Sequence, residues 1–327
     1  MIARFAILFF LVMGLVVAPL LVWLLCRFLL PRKYRKWCFL ACTLLVWGIM
    51  WYGSHPGFEQ LQVRHVVFES ADLPEAFDGY RMVQFSDAHV ATLTGSRQWM
   101  VQRAIDSINA QRADMIVFTG DMQNVWPEEL PAQSAYFQKL HAPDGVYAIL
   151  GNHDYAVYQT GTDEEKESNC QKSVKALRDM HFDLLLNEHR VIRRDTDSLV
   201  IAGMENWGNA KRMPRRGDVG KTMEGISDSA FVVMLQHDPS CWRECILPRC
   251  KAQLTLSGHT HGGQLSLFGW SPVSITYREW GGMTYEGARA INVSTGLGAL
   301  IPFRFGMPGE IVVITLKSKK RNNTKTI

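Results

Sequence analysis

The sequence predicts an α/β protein preceded by a hairpin of two apolar helices. Short runs rich in β-branched and apolar residues recur along the chain after residue 62, and helical periodicity separates several of them. Two long stretches without charge precede residue 54 and predict the hairpin. Of the 327 residues, 47% are hydrophobic, which suffices for a large core and excludes a disordered or collagen-like chain.

The first uncharged stretch, residues 5–26, is long enough to cross a hydrocarbon layer of about 30 Å as a helix. The second, residues 37–53, ends in Trp51 and Tyr52, which are typical of the headgroup level of a membrane. We therefore expect residues 1–56 to form a membrane anchor with two spans.

The turn between the spans, residues 27–36, is basic, whereas the N-terminal tail offers only Arg4 and the amino group. The basic residues are Arg27, Arg32, Lys33, Arg35 and Lys36. By the positive-inside rule the turn lies in the cytoplasm, so everything after Tyr52 is predicted to be outside it. The alternatives are a cleaved signal peptide, or a second stretch that lies on the membrane surface and leaves the rest of the chain in the cytoplasm.

Residues 57–317 are predicted to form one α/β sandwich whose sheets are covered by helices, followed by a tail at 318–327. The predicted strands are 63–68, 82–85, 115–118, 146–150, 199–202, 231–235, 253–256, 290–293 and 311–316. Helical spacing appears in Met100, Val101, Ala104, Ile105 and Ile108, and again in Val174, Leu177 and Met180.

The net charge bears on the kind of partner to expect, and the positions of the cysteines bear on whether they form disulfides or a zinc site. A net charge of +4 from 35 basic and 31 acidic residues is too balanced for a nucleic-acid-binding protein, so no nucleic acid partner is expected. Four of the seven cysteines follow the spans, an even number compatible with disulfides. A zinc site at Cys241, Cys245 and Cys250 is the less favoured alternative, because the spacings are not those of paired zinc ligands.

Polar residues with metal-ligand chemistry follow five of the predicted strands, at the edge where α/β sheets bind ligands. They are Asp87 and His89; Gly120 and Asp121; Gly151, Asn152, His153 and Asp154; His237 and Asp238; and Gly258, His259, Thr260 and His261. Taken singly, most of these motifs read as ordinary turns or helix caps. Their coincidence at five strand ends predicts a metal site.

This motif set resembles that of the calcineurin-like metallophosphoesterases, in the order D-x-H, G-D, G-N-H-D/E, H and G-H-x-H. The resemblance covers residues 63–316 and implies a four-layer αββα sandwich. The residues around these motifs are similar to those of the membrane-associated YkuE-like and YaeI-like bacterial branch. They are Leu73-Pro74, Asp78-Gly79, Gly262-Gly263-Gln264 and the stretch 292–298. That branch includes UDP-2,3-diacylglucosamine hydrolases, which implies a lipid-linked phosphate substrate. With the orientation predicted from the basic turn, we expect an integral protein of a bacterial inner or plasma membrane with an extracytoplasmic catalytic domain.

The resemblance also implies roles for the site residues. Asp121 would bridge two divalent ions; Asp87, His89 and His261 would complete one site, and Asn152, His237 and His259 the other. The mixed nitrogen and oxygen set suits Mn, Fe or Zn better than Mg or Ca. His153 would act on the phosphate or the leaving group, and Asp154 would hold the His153 ring in one tautomer.

The expected activity is hydrolysis of a phosphodiester or pyrophosphate bond by metal-activated water. The alternatives are a phosphodiesterase or phosphatase for soluble nucleotides or phosphoproteins, and a noncatalytic membrane scaffold. Relatives often carry a second acid where this chain has Asn124, which leaves the expected ligands untouched. A basic loop at residues 207–220 could meet an anion, although a solvated loop is the favoured interpretation.

Overall fold

The computed structural model describes residues 8–319. Arg4, the first residues of the predicted first span and residues 320–327 of the predicted tail lie outside the described residues.

The N-terminal region is a hairpin of two helices, Leu8–Leu29 and Arg32–Ser54, followed by a short helical turn at Pro56–Glu59. Both helices are long and apolar enough to cross a membrane, with mean hydropathies of 2.8 and 1.4 over their most apolar windows. Only 6% and 11% of these windows are buried within the protein, so their apolar side chains face outward.

The turn between the two helices is shorter than the expected residues 27–36. Leu30 and Pro31 alone separate the two helices, and the basic residues extend the helices on either side. Lys and Arg are good helix formers, so the basic residues continue both helices. Pro31 disfavours a helical conformation at Leu30 and so ends the first helix there, and it suits the position immediately before the second.

Within the described residues, twelve strands form two six-stranded sheets. The strands are β1 Leu61–Ser70, β2 Arg81–Phe85, β3 Met115–Phe118, β4 Val146–Ala148, β5 Asp183–Leu184, β6 Glu188–Arg194, β7 Asp197–Gly203, β8 Phe231–Leu235, β9 Leu254–Ser257, β10 Gly282–Glu286, β11 Arg289–Val293 and β12 Gly309–Ser318. The first sheet has the order β1-β12-β2-β3-β4-β5 and the second β10-β11-β9-β8-β7-β6.

All nine predicted strands are present, with ends shifted by a few residues. Strands β5, β6 and β10 were not predicted. β5 has two residues, β6 carries charged side chains on most of its positions, and β10 lies at a sheet edge. None of the three offers the apolar run that marks a buried strand.

Helices cover the outer faces of both sheets, and three apolar clusters separate the layers. The helices of the first outer layer are Gln98–Asn109, Pro131–Phe137 and Asp163–Asp179. The second outer layer is formed by Val219–Thr222 and by the π-helical segment Trp242–Ile246 with its continuation Leu247–Arg249. The cluster between the sheets takes residues from both. The four-layer α/β sandwich predicted from the sequence is therefore confirmed.

The helix Asp163–Asp179 shows how local sequence sets an element. Thr162 caps its first turn and accepts a hydrogen bond from the Glu165 backbone, while the Glu165 side chain accepts one from the Thr162 backbone. Three acidic residues in the first turn favour the positive end of the helix dipole. Val174 and Leu177 then bury the inner face against the first sheet.

Strands β2, β3 and β4 run parallel in the first sheet, and β7, β8 and β9 run parallel in the second. Their carboxyl ends meet at one edge of the sandwich. The loops that leave these strands are therefore brought together.

The end of the hairpin packs on the segment 303–305. The Arg304 backbone N–H donates to the Gly53 carbonyl at 2.8 Å. The rings of Phe10 and Phe303 lie 4.9 Å apart, and those of Tyr52 and Phe305 lie 5.6 Å apart. A Cβ at Gly53 would come within 2.2 Å of the Phe303 ring, so this close approach requires glycine.

Arg304 is fully buried between the hairpin and the polar edge of the sandwich. Its guanidinium donates to backbone carbonyls of Thr295, Gly296, Gly298, Met307 and Pro308. Burial lowers the pKa of this group to about 10, so it stays charged at neutral pH.

We expect Arg304→Met to lower the free energy of unfolding by about 3 kcal/mol or more, because several buried carbonyls lose a charged donor. The melting temperature in detergent should fall by about 6 °C or more. Exposed Arg249 provides the control, Arg249→Met, which should melt within about 1 °C of the unmodified protein. Equal melting temperatures for both variants would show that Arg304 has no such role.

Candidate metal centre

The loops after β2, β3, β4, β8 and β9 bring every expected metal ligand into one buried site. His, Asp and Asn side chains from all five loops are linked by successive contacts of 2.8 to 3.7 Å. Three groups could each hold an ion, since their ligand atoms lie within 4.8 Å of one another. They are Asp87, His89 and His261; His89, Asp121 and His153; and Asp121, His237 and His259.

The first part of the site is formed by Asp87, His89 and His261. The Nε2 atoms of the two histidines face each other at 3.1 Å. His261 Nε2 also lies 3.3 Å from Asp87 Oδ1, and His89 Nε2 lies 3.7 Å from Asp121 Oδ2. Two imidazole nitrogens and two carboxylate oxygens thus converge on one point, which is the donor set that a transition metal prefers.

The second part is formed around Asn152. Its Oδ1 lies 3.1 Å from His237 Nε2 and 2.8 Å from His259 Nδ1. His237 Nε2 is in turn 3.2 Å from Asp121 Oδ2. The same oxygen of Asp121 therefore faces both parts of the site.

Backbone contacts fix the direction of the ligands. His237 Nδ1 donates to the Thr119 carbonyl at 2.7 Å, which points Nε2 toward Asp121 and Asn152, where a metal would bind. Both carboxylate oxygens of Asp87 accept the His259 backbone N–H, at 3.1 and 3.0 Å. Each of these ligands is oriented by the fold before any cation binds.

The site backbone is strained. Five of the expected ligands have left-handed φ angles between 42° and 73°, a region that few non-glycine residues adopt, although Asn, Asp and His adopt it more often than the rest. They are Asp87, His89, Asp121, His259 and His261. Such strain costs about 1 kcal/mol or more for each residue, and it is concentrated here at one edge of the sandwich.

The protonation states of most site residues favour the binding of cations. Burial, together with His153, lowers the pKa of His89 to about 3, and burial lowers those of His259 and His261. These imidazoles are therefore neutral at pH 7 and carry free lone pairs. Burial opposes the charge of Asp121, but His237 and His153 outweigh burial and hold its pKa well below the usual range.

His237 behaves differently from the other histidines. Burial opposes its charge, but the Asp121 carboxylate outweighs this and raises the His237 pKa to about 10. A cation that binds His237 through Nε2 must displace this proton, so binding releases a proton from this residue. The buried lone pairs and the ionised carboxylate fit divalent cations.

Asp154 lies elsewhere than expected. Its carboxylate accepts backbone N–H groups of Asp121, Met122 and Gly151 at 2.9 to 3.1 Å. The carbonyl of Asn124, rather than Asp154, accepts the Nδ1 proton of His153. The expectation that Asp154 orients the His153 ring is therefore wrong: this carboxylate instead fixes the loops after β3 and β4 to each other.

His153 lies at the rim of the site. Its backbone N–H donates to Asp121 Oδ1 at 2.8 Å, and its ring packs against that of Tyr158 with centroids 4.4 Å apart and the planes tilted by 33°. Since Nδ1 is bound to a carbonyl, Nε2 is the nitrogen available to the site. Its distance from His89 and Asp121 allows either a role on the substrate or a place among the ligands.

Two tyrosines complete the site and were not predicted. The Tyr277 hydroxyl lies 2.8 Å from His259 Nε2, and the Tyr158 hydroxyl accepts from Asn152 Nδ2 at 3.0 Å. Burial raises the pKa of both, to about 12 for Tyr158. Tyr158 follows Asp154 by four residues, but Tyr277 lies sixteen residues after His261 and no spacing pointed to it.

The basic loop is partly structural. Arg216 binds Glu167 at 2.7 Å, and Arg215 donates to the carbonyls of Gly208 and Asn209. Lys211 and Arg212 are exposed, and an anion-binding role for them remains a prediction. All seven cysteines lie within the described residues as free thiols, and none of the candidate metal-ligand groups found there includes a cysteine.

Comparison with known proteins agrees with this geometry. Residues 80–263 match the calcineurin-like phosphoesterase family. The chain is 31% identical to the uncharacterized metallophosphoesterase YkuE of Bacillus subtilis, over 88% of this chain and 97% of that protein. It is 26% identical to the UDP-2,3-diacylglucosamine pyrophosphatase LpxG of Chlamydia trachomatis, over 84% and 94% of the respective chains.

A zebrafish (Danio rerio) relative is named as a transmembrane protein with a metallophosphoesterase domain. It is 27% identical over 69% of this chain and 49% of its own length, so this chain spans about half of that protein. Members of the matched family depend on two metal ions, and the His and Asp cluster described above supplies ligands for them. The chain belongs to the calcineurin-like phosphoesterase family and is a metal-dependent phosphoester hydrolase.

Proposed function

We propose that this protein is a membrane-anchored phosphohydrolase that uses two metal ions to cleave a phosphodiester or pyrophosphate bond in a lipid-linked substrate. Residues 1–56 would be the anchor and residues 57–317 the catalytic domain. The observation that carries the proposal is the position of Asp121 Oδ2, 3.7 Å from His89 Nε2 and 3.2 Å from His237 Nε2. One carboxylate oxygen between two histidine groups is what a pair of bridged ions requires.

The residues of the chain would divide the work as follows. Asp87, His89 and His261 would hold one ion, Asn152, His237 and His259 the other, and Asp121 both. When bound, Mn, Fe or Zn ions supply an activated water and neutralise charge on the phosphate. His153 Nε2, at the rim, would donate a proton or a hydrogen bond to the oxygen of the leaving group.

A lipid-linked substrate is supported by two observations. The hairpin ends directly at the catalytic domain, so the metal centre stays close to any membrane that the hairpin crosses. One relative over most of the chain is named as a pyrophosphatase of UDP-2,3-diacylglucosamine, a lipid-linked diphosphate. The alternative substrates are soluble nucleotides or phosphoproteins.

A substrate panel tests the proposal. Purified, manganese-loaded full-length protein is incubated with UDP-2,3-diacylglucosamine, with phospholipids and with UDP and cyclic nucleotides, and products are identified by mass spectrometry. We expect at least one lipid-linked compound to be cleaved about tenfold or more faster than every nucleotide. Faster cleavage of a soluble nucleotide would reject the lipid-linked substrate while leaving the hydrolase assignment intact.

We also propose that the catalytic domain is extracytoplasmic, because Arg27, Arg32, Lys33, Arg35 and Lys36 lie at the turn of the hairpin. An alkaline phosphatase reporter fused after Ile327 should be active, since that enzyme needs an oxidising compartment. A matched fusion of a reporter that fluoresces only in the cytoplasm should be dark. A fluorescent cytoplasmic fusion would reverse the orientation.

A further inference from the structure

The loop that follows the last expected metal ligand exposes an unusual apolar surface. We name residues 264–277 the tip loop; it contains no charged residue. Phe268 is fully exposed, and Leu267, Trp270 and Ile275 expose 47%, 52% and 80% of their surface. Aromatic and aliphatic side chains grouped in this way on a surface mark an interaction site.

The backbone of the tip loop holds these side chains outward. Leu267 and Trp270 exchange backbone hydrogen bonds of 2.9 and 3.0 Å, with Phe268 and Gly269 between them at φ angles of 52° and 81°. This is a tight two-residue hairpin turn with positive φ at both central positions. Phenylalanine rarely adopts positive φ, so the fold accepts backbone strain at the residue that it exposes most.

One side of the tip loop lies beside the hairpin. The Ser266 backbone donates to the Phe305 carbonyl at 2.8 Å, and the Phe305 ring packs on Tyr52 at the end of the second helix. Gln264 Nε2 donates to the Phe303 carbonyl at 2.6 Å, and Phe303 packs on Phe10 of the first helix. The exposed apolar surface is therefore continuous with the end of the two apolar helices.

The other side of the tip loop lies on the metal centre. Ser271 Oγ donates to the Gly262 carbonyl at 2.7 Å, directly after His261. Tyr277, the last residue of the tip loop, places its hydroxyl 2.8 Å from His259 Nε2. Both ends of the loop are fixed to ligand-bearing segments, and its apolar tip points away from them.

We propose that the tip loop inserts Phe268, Trp270 and Ile275 into the headgroup and upper acyl region of the same membrane that the hairpin crosses. Aromatic side chains are favoured at this depth, and the lack of charge removes the main cost of insertion. The metal centre would then open at the level of lipid headgroups, where a phosphate of a lipid-linked substrate lies. This inference rests on the membrane anchoring in the proposed function.

The test uses the full-length protein in vesicles of phosphatidylethanolamine and phosphatidylglycerol. A photo-crosslinking phenylalanine analogue replaces Phe268 in one sample. In a second sample it replaces Leu21, an exposed residue of the first hairpin helix. In a third it replaces Tyr285, which is 52% exposed and stacks on Phe68, near the end of β1 that lies away from the hairpin. After irradiation, mass spectrometry measures the lipid adduct of each.

We expect the lipid adduct at Phe268 to exceed that at Tyr285 at least fivefold, with a strong adduct at Leu21. A ratio below five, with Leu21 still labelled, would overturn the insertion of the tip loop and leave the anchor in place. Crosslinks from Phe268 mainly to a second copy of the chain would likewise overturn it. A missing lipid adduct at Leu21 would reject the anchor and the inference together, and hydrolysis of a soluble aryl phosphodiester would show separately whether the metal centre works.

Discussion

Replacing Asp121 by asparagine is expected to lower metal-dependent hydrolysis of bis(p-nitrophenyl) phosphate at least about a thousandfold, equivalent to about 4 kcal/mol of transition-state stabilisation. The reason is that Asp121 Oδ2 faces both His89 and His237, as no other carboxylate oxygen does within residues 8–319. An amide oxygen at this point carries no charge, so the pair of cations would lose their shared anionic ligand.

The fold should survive this change. Asp121 has a φ of 63°, and asparagine tolerates this conformation well. An amide oxygen can still accept the backbone N–H of His153, which Asp121 Oδ1 accepts at 2.8 Å. The matched control is Asp228→Asn, at a surface acid whose side chain is 93% exposed, and this variant should retain full activity. Full activity in Asp121→Asn would reject the proposed role of Asp121.

Replacing His153 by alanine is expected to lower turnover by about a hundredfold to ten-thousandfold, the usual contribution of a positioned acid, while both metals are retained. The Asn124 carbonyl holds Nδ1 and leaves Nε2 for the substrate. If Nε2 protonates the leaving oxygen, the loss should be larger for alkyl phosphodiesters than for nitrophenyl esters, because nitrophenolate leaves without a proton.

The structure also leaves His153 within reach of His89 and Asp121, so metal content must be measured in the same sample. The control His141→Ala removes an exposed histidine whose ring bonds the Lys139 carbonyl, two residues earlier in the chain. This variant should change neither activity nor metal content. Loss of a metal in His153→Ala would place this residue among the ligands. An equal loss with both leaving groups would favour stabilisation of the transition state over proton donation.

The sequence was sufficient for the strands that carry the site. The strands that lead into the site are short, buried and apolar, so the polar residues that follow them marked the end of each apolar run in the sequence. These strands are β2, β3, β4, β8 and β9. The position of these polar residues at strand ends predicted one metal site. The family resemblance then implied that Asp87 and His261, 174 residues apart, would share an ion, and His261 Nε2 lies 3.3 Å from Asp87 Oδ1.

The contacts around the site could not be read from the sequence. Asp154 follows His153 directly, yet its carboxylate turns to three loop amides, because a short helical turn at Asn152–Tyr155 points the two side chains in different directions. Tyr277 reaches His259 only because the tip loop folds back between them. Such contacts depend on loop geometry, which no spacing rule specifies.

The same limit applies to Arg304. A single arginine in a loop near the end of the chain gave no signal, whereas the structure buries it completely among backbone carbonyls between the hairpin and the loops of the site. The carbonyls that it binds belong to residues 295–308, which lie far along the chain from the hairpin on which this region packs. The hairpin and the metal centre are therefore joined by tertiary packing as well as by the connecting residues.

The central claim is that Asp121 is shared by two cations, and the most direct test is a crystal structure of the manganese-loaded protein with anomalous scattering recorded near the manganese edge. The account predicts two anomalous peaks about 3.5–4 Å apart on either side of the Asp121 carboxylate, one beside His89 and His261 and one beside His237 and Asn152. A single peak, or two peaks of which either lies away from Asp121, would contradict it.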